Sequence, residues 1–261
     1  MRTQNFWTAA LRWGSVALWL ALPLAASSQP RFDLRSTATR LPTTVLPSHV
    51  QLALDLDPAL DTFKGEVTVL LRASQRVAEI EIHAKDLQAE VAQLQVGAHG
   101  QTRTRSLQVQ VDAARSTWHL LPADGQPIAA GRYRLHIRYS GQVRRSGEGL
   151  YRVDHKVRGQ PARMLATQLE AVEARRLLPV FDEPVFRSVF ALSVLAPQGL
   201  EVLSNMPRLR ATAAGTKVRH DFAPTPPMPS YLLAVTVGRL DRKSTRLNSS
   251  HPRLSRMPSS A

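Results

Sequence analysis

Cysteine is absent from the 261 residues. The chain therefore makes no disulfide, binds no metal through thiolates and has no thiol nucleophile. Aromatic residues are sparse, at 6%, which argues against the aromatic platforms of carbohydrate-binding modules. The 18 Pro and 13 Gly are scattered, excluding collagen-like repeats and a Pro-rich stalk. No G-x-G-x-x-G, Walker loop or G-x-S-x-G elbow occurs, which removes the common signatures of dinucleotide, nucleotide and serine-hydrolase sites. None of the eight His has another His three or four residues away, so no helical zinc pair exists. What is present is a globular composition, 43% hydrophobic and 21% charged, which excludes wholesale disorder. Acid is in deficit: the formal charge is +14, of which residues 1–28 carry +2, residues 241–261 carry +4 and the body +8.

Both ends read as lying outside the fold. Arg2 and Arg12 precede an uncharged apolar stretch from Gly14 to Ala26, followed by small residues at Ala25 to Ser28. That is the layout of a cleaved signal peptide over residues 1–28, with a linker over 29–37; a retained N-terminal anchor is the alternative. The apolar run is shorter than the roughly 20 residues a membrane span needs. The expected product is exported, periplasmic or secreted, with no stable membrane span after cleavage. At the other end, Asp241 to His251 (DRKSTRLNSSH) and Ser255 to Ala261 (SRMPSSA) back-translate in one frame to consecutive blocks of a common sequencing-library adapter. The expectation is that native sequence stops near Leu240 and that 241–261 is a non-native, translated tail; a polar tail of the protein itself is the alternative.

Between the ends the periodicity is two. Val50, Leu52, Leu54 and Leu56 alternate with Gln51, Ala53 and Asp55, and the pattern returns at Val67–Leu71, Ile80–Ile82, Leu94–Val96, Leu107–Val111, Trp118–Leu120 and Leu135–Tyr139. Longer apolar strands are expected around Phe190–Val194 and over Tyr231–Val237, with turns at Asp57-Pro58, Ala123-Asp124-Gly125 and Ser140-Gly141. Half-buried strands account for this, while Ala171–Leu178 allows one helical turn. The fold class is all-β: about ten or more antiparallel strands in two packed sheets or one large curved sheet, over residues 38–240.

Two clusters could carry chemistry. Arg132, Arg134 and Arg138 share one strand face, followed by Arg144 and Arg145. The intervening Tyr133, Leu135 and Ile137 point the other way, so the face lacks the interleaved aromatics of RNA-binding sheets. No nucleic-acid partner is expected, and a solvated arginine face is the simpler reading. The second cluster is Met164–Phe190. A strand puts Gln168 and Glu170, two residues apart, on one side. They could hold a ligand's ammonium group, with Glu170 as counter-ion and Gln168 as neutral donor and acceptor; equally, they could be the solvent side of an amphipathic strand. Arg175 and Arg176, followed by Phe181-Asp182-Glu183-Pro184, look like a locked turn.

The same stretch carries a resemblance. Thr167-Gln168-Leu169-Glu170, Ala174-Arg175-Arg176 and Pro179-Val180-Phe181-Asp182-Glu183-Pro184 resemble the signature of the aminopeptidase N family of zinc metallopeptidases. Further likenesses follow in the family's order: Arg40 to Pro47, Asp61 to Val67, His83 to Leu87, Gly149 to Arg152, Ser204 to Pro207 and Pro227 to Ala234. Together they span about residues 38 to 240. The resemblance implies a saddle-like N-terminal β-domain preceding a thermolysin-like catalytic domain. It implies that Glu170 helps to bind the free α-amine of a peptide substrate and that Gln168 lines the pocket for its first side chain. It also implies zinc in the parent protein, yet G-x-M-E-N and H-E-x-x-H occur nowhere in this chain.

The expectation is thus the substrate-side domain of an exported zinc aminopeptidase, without catalytic or metal-ligating residues of its own. Its partners would be peptides with free amino termini and a catalytic domain of the same polypeptide. The isolated fragment is expected to be inactive, with an exposed apolar docking patch around Leu177 and Leu178. The rivals are a non-enzymatic secreted β-sandwich binding or adhesion module, and a relative whose catalytic domain has lost its zinc ligands.

Overall fold

The alternating runs become strands over residues 40–98 and 101–240, the residues that the computed structural model describes. The signal segment 1–28, the linker 29–37 and the tail 241–261 lie outside the described residues. In chain order the first strands are β1 (Val45–Asp55), β2 (Thr62–Ala73), β3 (Ile80–His83), β4 (Leu87–Ala98), β5 (Gln101–Asp112), β6 (Thr117–Pro122) and β7 (Gly131–Gln142). There follow β8 (Gly149–Val157), β9 (Gln160–Gln168), β10 (Val189–Pro197), β11 (Glu201–Ser204), β12 (Arg208–Ala214), β13 (Lys217–Phe222) and β14 (Val235–Gly238). Among the described residues there is no α-helix, only single 3-10 turns at Ala174–Arg176 and Ser230–Leu232.

Ten strands form one sheet, in the order β12-β13-β10-β1-β2-β7-β4-β5-β6-β3, and four form another, β11-β14-β9-β8. The all-β expectation holds. The large sheet is mixed rather than wholly antiparallel, because β1 and β10 run parallel with His49 opposite Val189 and Asp55 opposite Leu195. Parallel neighbours need a long crossover, and here everything from β2 to β9 serves as that connection.

Cross-strand rows build the core. Phe190, Val50, Val69, Leu135 and Leu94 stand side by side across β10, β1, β2, β7 and β4. Leu192, Leu52, Val67, Ile137 and Ala92 form the next row. All ten are buried, and they join one apolar cluster with Leu165, Val235 and Val237 of the smaller sheet. Each such Val, Leu or Ile contributes about 1.5–3 kcal/mol on burial. The shared apolar cluster is therefore the main stabilising contact between the sheets.

Several local expectations change. Ser140 and Gly141 form no turn; both lie within β7, where Gly141 stands opposite Phe63. A Cβ on Gly141 would come within 2.6 Å of the Phe63 ring, so this glycine permits close packing rather than a reversal. Tyr231–Val237 is not one strand: Ser230–Leu232 turns after Pro229, and β14 begins only at Val235. The arginine face keeps Arg132, Arg134 and Arg138, which are exposed while Leu135 and Ile137 are buried. Arg144 and Arg145, which follow it, turn to Asp86 (3.2 Å) and Asp61 (3.9 Å).

At the other end of the large sheet, Asp221 of β13 accepts from the Ser193 hydroxyl at 2.5 Å and from Arg210 and Arg219 at 2.9 Å each. Burial raises its pKa, but these donors more than offset that and hold it at about 2. Because this lies below the ordinary carboxylate value, the stabilisation is complete above about pH 4 and is lost as pH falls through about 2. Asp221→Asn should cost about 1–2 kcal/mol near neutrality, after allowance for screening of its exposed partners, and progressively less as pH falls through about 2, as measured by urea unfolding of both proteins across that window.

Candidate functional site

Strand β9 pairs with β8 along its whole length and ends with Gln168 opposite Gly149. Alternation runs one step further: Leu169 is 2% exposed, while Gln168 and Glu170 on either side of it are both exposed. The amide and the carboxylate thus lie on the solvent side of the chain, where the spacing of two places them. The Glu170–Ala171 peptide bond is cis.

Beyond Glu170 the backbone is anchored to its surroundings. The Glu173 N–H donates to the Leu169 carbonyl at 3.0 Å, and the Leu177 and Leu178 N–H groups donate to the Ala174 carbonyl at 2.9 and 3.1 Å. Lys85 N–H donates to the Arg175 carbonyl at 2.9 Å, and His83 and Val180 exchange both of their backbone hydrogen bonds. The Tyr139 hydroxyl donates to the Leu177 carbonyl at 2.9 Å; burial pushes its pKa well up, so it stays a donor. These anchors draw Leu177 and Leu178 into the core, where each is 0% exposed. The expectation of an exposed apolar patch there is wrong, because Tyr139 holds the Leu177 carbonyl and Ala174 takes both N–H groups beneath the surface.

Asp182 organises the segment. Its side chain is 1% exposed, and one carboxylate oxygen accepts from Arg175 Nε at 3.0 Å and from the Arg175 N–H at 3.3 Å. The other oxygen accepts from the Ser230 hydroxyl at 2.6 Å. Its own N–H donates to His83 Nδ1 at 3.2 Å, and its carbonyl accepts from Arg175 Nη2 at 3.3 Å. The neighbouring Glu183 carboxylate accepts from the Leu41 N–H at 2.7 Å. The Arg–Asp lock expected in this stretch is therefore present, and it also captures both 3-10 turns.

Arg176 makes a second junction with the carboxylates of Glu173 and Asp86, and Arg144 joins it through Asp86. Asp86 has φ 56°, a left-handed conformation that Asp tolerates better than most residues. Gly149, opposite Gln168, has φ +65°, and a Cβ there would lie 3.0 Å from Arg176 Cβ. A side chain would be strained by conformation and by space alike. Both arginines beside the exposed pair are thus committed elsewhere, Arg175 to Asp182 and Arg176 to Glu173 and Asp86. Among the described residues, Glu170 makes no ion pair.

The sequence reading missed Asp86, Arg144 and Ser230 as members of this constellation. Asp86 offered one faint signal, an Asp directly after a strand and a Lys. Nothing near Ser230 pointed to Asp182, 48 residues away. Isolated histidines behave as structural groups: His83 closes the hub, and His119 Nδ1 meets Glu79 at 2.9 Å. Among the described residues no three His, Asp or Glu side chains group as metal ligands.

The described residues thus form a two-sheet β-domain with a polar hub beneath its β9–β10 connection. The chain belongs to the peptidase M1 family: the Peptidase M1 N-terminal domain matches residues 46–232. Aminopeptidase N of Acetobacter pasteurianus is 32% identical over 235 residues, which is 88% of this chain and 62% of that protein. Aminopeptidase M1-D of Oryza sativa subsp. japonica is 31% identical, over 77% of this chain and 22% of that protein. Endoplasmic reticulum aminopeptidase 1 of Homo sapiens is 30% identical, over 78% of this chain and 22% of that protein. The chain thus spans less than two thirds of the length of these relatives. The similarity favours the peptidase reading over the adhesion-module reading.

Asp182→Ala should strip Arg175 and Ser230 of their buried acceptor and cost about 3–5 kcal/mol. Chemical denaturation followed by circular dichroism will show that loss, whereas Glu170→Ala, at an exposed position, should unfold as the wild type does.

Proposed function

We propose that this chain supplies the substrate-side domain of an exported zinc aminopeptidase, with Glu170 and Gln168 receiving the first residue of a peptide. The observation that carries the reading is the uncompensated charge of Glu170, set next to two arginines already held by other carboxylates. An exposed carboxylate in water gains little from a partner. Once a second domain and a peptide exclude water, the same carboxylate pairs far more strongly with an ammonium group, less the cost of desolvation. Gln168, an uncharged donor and acceptor, would face the side chain beside that amine. Membership of the M1 family and the likeness to aminopeptidases along most of the chain support this assignment.

Zinc, when bound by the catalytic domain of the whole protein, supplies Lewis-acid activation of water; this chain contributes binding and orientation. Discrimination for a free amino terminus follows from charge: an acylated terminus leaves Glu170 unpaired. Export rests on the signal-like segment 1–28.

In the full-length enzyme, Glu170→Ala should lower kcat/KM on unblocked peptides by about ten- to a hundredfold, the worth of one hydrogen bond to a charged group. Gln168→Ala should instead redistribute preference among first residues. Unchanged kinetics in Glu170→Ala would remove the role given to that carboxylate. The purified 261-residue chain should bind no stoichiometric zinc by equilibrium dialysis and should release no chromophore from aminoacyl-anilides. Chelator-sensitive turnover by it would overturn the reading of a purely substrate-side domain.

A further inference from the structure

The outer face of the large sheet holds a groove of about 640 Å³, lined by His49, Leu70, Arg72, Gln95, Arg132 and Arg134 among others, with no Asp or Glu in its wall. Strand register places these side chains together. His49, Leu70, Arg134 and Gln95 form one row across β1, β2, β7 and β4, and Arg72 stands directly opposite Arg132. Directly opposed side chains lie about 4.5–5.5 Å apart at Cβ, and like charges in that position repel.

Several other arginines are paired with carboxylates, while some of the described ones, Arg103, Arg158 and Arg187 among them, are not; what sets this groove apart is that three gather in it. Arg105, Arg152, Arg175 and Arg210 hold carboxylates at 2.6–3.0 Å. A second groove of the same face mixes Lys64, Arg138 and Arg219 with Asp55, Glu66 and Glu90. Among the described residues, Arg72, Arg132 and Arg134 have no carboxylate partner. Three guanidiniums gathered around one groove, two of them opposed across strands, form a site whose missing component is negative charge.

We propose that this groove binds a multiply charged phosphate oligoanion. Planar guanidiniums match phosphate oxygens in bidentate geometry, and the shared bonds are charge-assisted. Two or more linked phosphoryl groups can satisfy all three arginines, which a single carboxylate cannot. Gln95 adds an amide donor. Tyr133 is the one aromatic residue in the wall, and its hydroxyl is held by the Ala129 carbonyl; a single ring is no platform for successive bases, so the groove selects phosphate rather than nucleobase. The proposal stands independently of the role given to Glu170, which lies in the smaller sheet's β9–β10 connection.

Calorimetric titration of pyrophosphate into the 261-residue chain at low ionic strength tests it. The expected result is saturable one-to-one binding that weakens with added salt. Arg134→Gln should weaken it about tenfold. Gly97→Glu should abolish it, since a Cβ at Gly97 meets nothing within 4 Å and the new carboxylate has room to occupy the arginines itself. Arg158→Gln, which makes the same change in net charge on an exposed turn, should leave it unchanged. In phosphate-free buffer Arg132→Gln should raise Tm by relieving the opposed pair. Absence of saturable binding, equal weakening by Arg158→Gln, or a fall in Tm for Arg132→Gln would overturn the proposal. Binding to phosphatidylglycerol vesicles without saturable pyrophosphate binding would overturn it too, by making the face a membrane contact.

Discussion

The pair formed by Arg175 and Asp182 is the contact on which the functional segment depends. Bringing a carboxylate to near-complete burial carries a desolvation cost of several kcal/mol, which is recovered only when its oxygens are fully hydrogen-bonded. Asp182 meets that condition through Arg175 and Ser230, while its backbone engages His83 and Arg175. One residue, through its side chain and its backbone, therefore joins the end of β3, the 3-10 turn after β9 and the 3-10 turn before β14. An apolar replacement could fill the same volume, but it could not dictate which backbone groups meet. The hub is better understood as setting geometry than as adding stability.

That geometry gives the charge pattern its meaning. Ion pairs on the surface of a protein contribute little individually, so the protein's 34 basic residues carry information mainly through which of them lack partners. Near Glu170, Arg175 and Arg176 are engaged and an acid is left over; on the outer face of the large sheet three arginines gather in a wall without an acid. A positively charged ligand end fits the first place and a negatively charged one the second. Both follow from the same strand alternation, which sorts polar side chains onto one side while Leu, Val and Ile fill the other.

Much of this was legible beforehand for a physical reason: where one face is buried and the other wet, alternation appears directly in the residue order. β1, β2, β7 and β10 are such strands. β12 could not be read this way, because all seven of its residues are exposed and no contrast exists. The parallel pairing of β1 with β10 was hidden because side-chain period is two for either strand direction. At the site, the shared side of Gln168 and Glu170 follows from spacing and the Arg–Asp lock from proximity. The burial of Leu177 and Leu178 does not, since it depends on Tyr139, distant in sequence, which holds the Leu177 carbonyl. Asp86 escaped for the same reason, lying 90 residues before the Arg176 that it meets.

The late partner of β1 also sets a schedule for biosynthesis. Val50 waits for Phe190, 140 residues downstream, and at a ribosome adding about 5–20 residues per second that wait lasts on the order of 10 s. During it, β1 and β2 can pair, yet one side of β1 has bare amide and carbonyl groups of the kind that recruit stray strands. The sheet closes only after the stretch bearing Gln168 and Glu170 has emerged. A nascent chain halted before β10 would thus carry an open strand edge rather than form a smaller closed domain.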